Sequence, residues 1–495
     1  MTTSREDEPP RPLADENLAE RPTAGETPIA DELPDVPAAK ATAKENALRV
    51  VVALAWPVVA LNALQVINTL IDRYFIGHLD NASLTGHGGA TSIIFLAFSL
   101  AVSIAAGPTA IVSRAFGAED HREVRQASRQ SLAVAIYAGI ATAILIALIA
   151  HPVAGVILPK DNPDAVRKMG DFIAIYAAGL PAIFVIQSLA AALRGIGDTK
   201  SPTVISGIQI AFHVAGNVVL IPRIGLNGAA IALSASAWIA TVLYIGFART
   251  TPLAVGFSLR PPGREWFLRL FRVALPAAVM STLRVLSLTT FTIVLALVPH
   301  ASDAIAAMTT AFAIESILIA PAFGLAAAAG TLVGQSLGMG DPARAERLAW
   351  ICAGLGIVCV LIPIAPVAIF TPQFAATLVG NKPEVIFEAV RLMRFMCATE
   401  ISFAVAMVLF GAMQGAGDTV RPLWISLFAL WGLRVPLAVV FALTTGATLG
   451  LGIALPYGLG LGALGAWIAI AITQGLQGIL AALVFRGGGW KTKRV

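Results

Sequence analysis

Apolar residues run through this chain in long blocks, broken at intervals by short clusters of charge, proline and glycine. The blocks fall near residues 48–75, 84–113, 128–150, 170–195, 202–222, 227–248, 267–298, 304–337, 346–370, 386–414, 422–444 and 456–485. A helix needs about 20 mostly apolar residues to cross the hydrocarbon core of a bilayer, and every block meets that length. The pattern predicts an all-α membrane protein of twelve transmembrane helices, α1–α12 in chain order. Several blocks exceed 25 residues, which implies tilt or ends that protrude from the hydrocarbon.

The pattern also repeats. ALRGIGDTKSP at 192–202 faces AMQGAGDTVRP at 412–422, with six of eleven positions shared. LAWPVVA at 54–60 faces VALPAAV at 273–279, TAIVSRAFGAED at 109–120 faces GTLVGQSLGMGD at 330–341, and NGAAIAL at 227–233 faces LGAWIAI at 464–470 after an insertion. The chain therefore reads as two six-helix repeats in tandem. Six is even, so both repeats enter the membrane from one side, and their pseudo-two-fold axis runs along the membrane normal. The doubled turn joins α4 to α5 and α10 to α11. Gly195 or Gly415 is expected in the left-handed conformation that closes a helix. Asp198 or Asp418, or the threonine after it, is expected to cap the next helix. Pro202 and Pro422 sit in that helix's first turn, where a missing N–H is tolerated. Gly197 and Gly417 complete the motif, whose role is read as structural. No strand precedes these glycines and no Gly-Lys pair occurs, so they are not a phosphate loop.

Composition agrees with a membrane protein. The 495 residues are 57% hydrophobic and 13% charged, with mean hydropathy +0.80, where soluble chains carry about 25% charged residues. Residues 1–46 differ. They hold eleven acids, five bases and seven prolines, and predict a disordered cytoplasmic tail rather than a signal peptide. The organisation that follows is a tail (1–46), a first lobe (47–250), a linker (251–265), a second lobe (266–486) and a basic tail (487–495). With the N-terminus inside, 21 Lys and Arg fall on inner segments and 8 on outer ones. That bias places both termini in the cytoplasm and the protein in the plasma, or cell inner, membrane. Cys352, Cys359 and Cys397 lie in apolar runs and read as small buried residues. Metal-ligand spacing is absent.

Taken together, the twelve helices, the doubled G-x-GDT-x-x-P turn, the FAIESILIAPAFGLAAAAGTLVGQSLG stretch at 312–338 and the prolines of α1 and α7 resemble the multidrug and toxic compound extrusion (MATE) family over residues 47–486. The resemblance implies secondary antiport. Protons or sodium ions flow inward and drive organic cations out, as two lobes rock about a central cavity.

Ionisable residues at bilayer depth are functional or paired by default. In the first lobe these are Asp72 near the outer end of α1, with Asn62, Gln65 and Asn68 on similar or adjacent faces, and His213 and Asn217 one turn apart on α5. In the second lobe they are Arg284, Glu315, Glu400 and Arg434. At about 1.5 Å per residue, Glu315 and Glu400 lie roughly 16 and 21 Å from the outer face, and Arg434 roughly 18 Å from the inner one. Shared depth suggests neutralising pairs, Arg284–Glu315 or Arg284–Glu400, and such a pair can also switch. Asp72, with only Arg73 beside it, is suited to exchange protons or to bind sodium with Asn217; the alternative is a solvated helix end. By resemblance, Asp72 matches the family's acid on the first helix, and Asn217 an asparagine of one branch's cation site. That branch expects an acid four residues later, where this chain has Ile221. Another branch's glutamate on the seventh helix is replaced by Arg284, and its aspartate on the tenth aligns with Phe403. These departures favour proton over sodium coupling. Met280, Met308, Phe312, Met393, Phe395, Met396, Met413, Trp424 and Trp431 either line a pliable cavity or face lipid and core.

The coupling set is therefore Asp72, Asn217, Glu315 and Glu400, with H+ or Na+ as the ion and no other cofactor. The expected partners are small organic cations and membrane lipid, with no nucleic acid, and the chain is expected to act as a monomer. The alternative transport reading is a flippase for a lipid-linked saccharide. An intramembrane enzyme is not supported: no H-E-x-x-H pair occurs, and the six histidines are scattered. An ATP-driven pump lacks its phosphate loop.

Overall fold

The computed structural model describes residues 44–158, 162–255, 260–380, 382–448 and 454–493. The predicted tail up to residue 43, part of the linker (256–259) and the last two residues lie outside that set. Twelve helices long and apolar enough to span a membrane form the body: α1 Ala47–Gly77, α2 Asn81–Gly117, α3 His121–Ile157, α4 Pro163–Gly195, α5 Lys200–Ile224, α6 Leu226–Ala248, α7 Arg264–Ala296, α8 Ala301–Gly338, α9 Pro342–Ile369, α10 Pro383–Gly415, α11 Val420–Ala442 and α12 Ala463–Arg486.

Each predicted block coincides with one helix, and several helices run further than apolarity alone indicates. α3 starts at His121 rather than near 128 because Asp120 caps it, its carboxylate accepting from the Glu123 amide at 2.8 Å. Asp341 caps α9 in the same way, accepting from the Arg344 amide at 2.8 Å. These polar first turns protrude beyond the apolar run. α11 contains a π-helical segment, Phe428–Arg434. Between α11 and α12, antiparallel bridges join Thr444 to Leu459 and Thr448 to Ala454.

The repeat is structural as well as textual. Gly225 and Gly462 precede α6 and α12 with matching backbone angles, φ 59° and 60°. Three residues on, Gly228 and Gly465 let those helices press against the backbone of α5 and α11. Within each lobe α4 packs on α6 as α10 packs on α12. Between lobes α1 packs on α8 as α7 packs on α2, the reciprocal exchange a pseudo-two-fold relation requires.

The doubled turn differs from expectation in one respect. Gly197 (φ 92°) and Gly417 (φ 83°), rather than Gly195 and Gly415, take the left-handed conformation. Gly195 and Gly415 remain helical and serve close packing. A Cβ at Gly195 would stand 3.1 Å from Val112 Cγ1, and one at Gly415 would overlap the Gly330 backbone of α8. Asp198 and Asp418 do cap, accepting from the amides of Ser201 (3.0 Å) and Arg421 (3.4 Å). Pro202 and Pro422 occupy the first turns of α5 and α11.

Candidate functional site

The two lobes meet at the end of the bundle that carries both termini. There a Cβ on Gly117 would overlap the backbone of Gln335, and one on Gly338 would overlap the carbonyl of Arg114. These glycines occupy the same repeat position, so each lobe offers a bare helix end to the other. Gln335 Nε2 donates to the Gly195 carbonyl at 2.9 Å, and Arg269 pairs with Glu123 at 2.6 Å. The C-terminal residues add a strap. Trp490 is fully buried and stacks on Phe485 at 4.7 Å. Lys491 pairs with Glu346 at 2.6 Å, and the Lys493 carbonyl accepts from Arg114 at 2.8 Å. Further along the bundle the lobes still touch through Ser103 and Ser281, 3.0 Å apart, and through Asn62, which donates to the Ala320 carbonyl at 3.2 Å. The hydrogen bonds and ion pairs named here between the lobes all lie at these two contacts or on their terminal side. The contacts between the lobes gather at the terminal end.

α1 and α5 assemble the first-lobe site. The Asp72 carboxylate accepts from Asn217 Nδ2 at 2.7 Å and lies 3.7 Å from His213 Nε2. His213 Nδ1 is 3.2 Å from Asn68 Oδ1, and its Nε2 is 3.5 Å from Asn217 Nδ2. An amide oxygen only accepts, so Nδ1 carries the imidazole proton and the Nε2 lone pair faces Asp72. Asn217 is fully buried, and its Oδ1 has no donor. Asp72 thus has a second base near it besides Arg73. Four polar residues one turn apart on two helices converge because 3.6-residue periodicity stacks positions 68 and 72, and 213 and 217. Asn62 and Gln65 do not join them: Asn62 reaches the other lobe, and Gln65 is exposed. Ile221 is buried one turn beyond Asn217. Phe291, at the repeat position of Asp72, is fully buried near Trp467, so the second lobe has no copy of this site.

The second lobe holds its four ionisable residues differently from the predicted pairs. Arg284 touches neither acid; both terminal nitrogens of its guanidinium lie 3.8 Å from Met407 Sδ. Glu315 instead accepts from Gln474 Nε2 at 2.7 Å, and Gln474 Oε1 accepts from Thr399 at 2.9 Å. Arg434 leaves the π segment of α11 and donates to Thr473 at 2.9 Å. No ion pair joins Glu315 to Arg284 or Arg434 among the described residues. Glu400 is fully buried, and neither carboxylate oxygen has a hydrogen-bond partner among the described residues. Gln474, Thr473 and Thr399 were not singled out from sequence; the Thr-Gln pair inside the apolar run of α12 is the signal that marks them. Of the apolar candidates, Met280, Met308, Met393, Met396 and Met413 are buried, Trp424 is exposed, and Trp431 donates to the Leu283 carbonyl.

Outside the spans, Asp80 accepts from Lys168 at 2.8 Å and from the Ser83 amide at 2.9 Å. These bonds, that to Lys168 first, hold its carboxyl well below the usual carboxylate range. The contact ties the start of α2 to α4.

The MatE family model matches the chain twice, at residues 57–219 and 276–440. A Thermotoga maritima protein described as probable multidrug resistance protein NorM is 25% identical over 465 residues, covering 89% of this chain and 93% of its own. A protein of the same description from Rhodopseudomonas palustris is 27% identical over 475 residues, covering 90% and 93%. A solved MOP superfamily transporter from Pyrococcus furiosus, described by the reverse polarity of its binding pocket, matches at TM-score 0.82 and 20% identity, covering 94% and 100%. A MATE family transporter solved in an outward-facing conformation matches at TM-score 0.80 and 20% identity, covering 89% and 95%. The structural likeness establishes the fold. The tandem family matches, spaced like the internal repeat, establish more: this chain belongs to the MatE family.

Proposed function

We propose that the protein exports organic cations across the plasma membrane in exchange for protons taken up at Asp72, by alternating access between its two lobes. The cluster of Asp72, Asn217, His213 and Asn68 carries this reading. Asp72 as a carboxylate accepts from Asn217 Nδ2. Once protonated, it becomes a donor, and the same Asn217 carries an Oδ1 acceptor that no donor satisfies among the described residues. His213 Nε2 presents a second lone pair to the same proton. Loading the site therefore inverts its hydrogen bonds and changes how α1 packs on α5. α1 also contacts α8 of the other lobe, so the repacking reaches the lobe interface.

The excess of Lys and Arg at the terminal end supports cytoplasmic termini. In that orientation the contacts between the lobes gather on the cytoplasmic side. Multidrug resistance is what the descriptions of the Thermotoga and Rhodopseudomonas relatives record for those proteins, and organic cations fit an acid-containing intramembrane site. Sodium is disfavoured because Asp72 is the only carboxylate of the first-lobe cluster, with buried Ile221 one turn from Asn217, whereas sodium is held by several oxygens.

The test uses purified protein in liposomes loaded with a fluorescent organic cation, with proton and sodium gradients imposed separately. Dye movement under the proton gradient alone is expected. Movement under sodium alone would move coupling to Glu315 and Glu400 and overturn the assignment to Asp72.

A further inference from the structure

We propose that Arg284 and Glu315 form a dipolar subsite just past the lobe contacts of Ser281 and Ala320, where Arg284 receives an acidic group of the substrate and Glu315 its cationic group. This rests on the transport reading above and narrows its substrate class.

The placement follows from the lobe contacts. Ser281 on α7 meets Ser103 of the first lobe. Arg284 lies three residues further from the terminal end, about one helical turn. Ala320 on α8 accepts from Asn62 of the first lobe. Glu315 lies five residues further from the terminal end, roughly 7.5 Å along the axis. Both charges therefore sit just past the last contacts that close the lobes, and both are half-buried rather than sealed.

The bonding shows what is missing. A guanidinium has five N–H donors in a rigid fork that matches a carboxylate or phosphate. At bilayer depth such a charge is costly unless it is paired. Arg434 meets this demand partly through Thr473. Among the described residues, Arg284 has only a thioether sulfur, a weak acceptor. No ion pair joins Arg284 to Glu315 among the described residues. Glu315 is held back by Gln474, which takes its Oε1 and leaves Oε2 without a bonded partner among the described residues. An opposed pair held apart, each member with bonding capacity to spare, fits a ligand that carries both signs.

Rhodamine 110, a zwitterion with a free carboxylate, and rhodamine 123, its methyl ester, share one chromophore and differ at that group. Their binding to the purified full chain is measured by fluorescence anisotropy, alongside gradient-driven uptake of rhodamine 123 into proteoliposomes. The unmodified protein is expected to bind the acid about tenfold more tightly than the ester, the scale of one charge-assisted bidentate contact. Arg284→Gln should bring the ratio of the two affinities to about one. Arg284→Lys, which keeps the charge but loses the fork, should leave an intermediate ratio and covers the case in which the glutamine variant does not fold. No preference in the unmodified protein, or one unchanged in both variants, overturns the subsite. Uptake of the ester without preference for the acid removes this inference alone; absence of uptake removes the transport reading itself.

Discussion

Replacing Gly117 by alanine tests how the closed end is held shut. Gly117 ends α2 against Gln335 of α8, and an added Cβ would lie 2.7 Å from Gln335 Cα, where ordinary contacts are 3.4–4 Å. Its overlap with the Gln335 carbonyl is deeper. The obstruction is backbone, so no side-chain rotation relieves it, and the helix ends must part by about 1 Å. Overpacking of this kind costs about 1–3 kcal/mol. The penalty falls only on the closed arrangement, so the equilibrium between the two arrangements should shift by about 5- to 150-fold. Gly338→Ala should act alike, since its Cβ would lie 2.9 Å from the Ala118 nitrogen. The assay is the distance distribution between spin labels at exposed Arg122 and Arg347, one per lobe at the closed end, with native cysteines replaced. A longer-distance population should grow in both variants. Gly207→Ala is the control: nothing lies within 4 Å of a Cβ there, so alanine should only strengthen the helix, by up to about 1 kcal/mol. An unchanged distribution in both interface variants, or an equal change in the control, would refute the reasoning.

Three further outcomes are expected. Trp490→Ala removes a fully buried ring stacked on Phe485; hydrogen exchange across 487–493 should rise, and undiminished protection would mean that the ring does not anchor the strap. Asp80→Asn should lower Tm at pH 7, and the difference should vanish in strong acid. The folded carboxyl is held low by Lys168, so its contribution is present above the ordinary value of about 3.9 and is lost as pH falls through the folded value; equal Tm at pH 7 would contradict this. Glu119 holds φ 59° where the other repeat has Gly340 at 75°. Glu119→Gly should therefore raise stability by about 0.5–1 kcal/mol in thermal unfolding, and a lower Tm would refute the strain.

Much of the architecture was legible because apolar run length decides it. A twenty-residue helix in hydrocarbon has no competing structure, and the offset between repeats fixes two lobes before any contact is known. The polar ends of α3 and α9 were less legible, since Asp120 and Asp341 extend those helices by capping rather than by hydropathy. The turn glycines were misassigned by two positions: spacing marks a left-handed residue near a helix end, but only packing separates Gly197 from Gly195. At the sites, Asp72, His213 and Asn217 share faces that periodicity reveals. The partners of Glu315 and Arg434 were hidden, because Gln474 and Thr473 are neutral residues on a helix far along the chain. The expected Arg284 ion pair failed for the same reason: depth along the membrane normal says nothing of direction around it.

Proton release on substrate binding tests the coupling at Asp72 most directly. If proton and substrate oppose each other at linked sites, each must weaken the other by the same factor. Adding a fluorescent organic cation to purified protein in weakly buffered solution should therefore release protons, read by a pH indicator, and Asp72→Asn should release none while still binding dye. No release from the unmodified protein, or equal release from the variant, would contradict the assignment of coupling to Asp72.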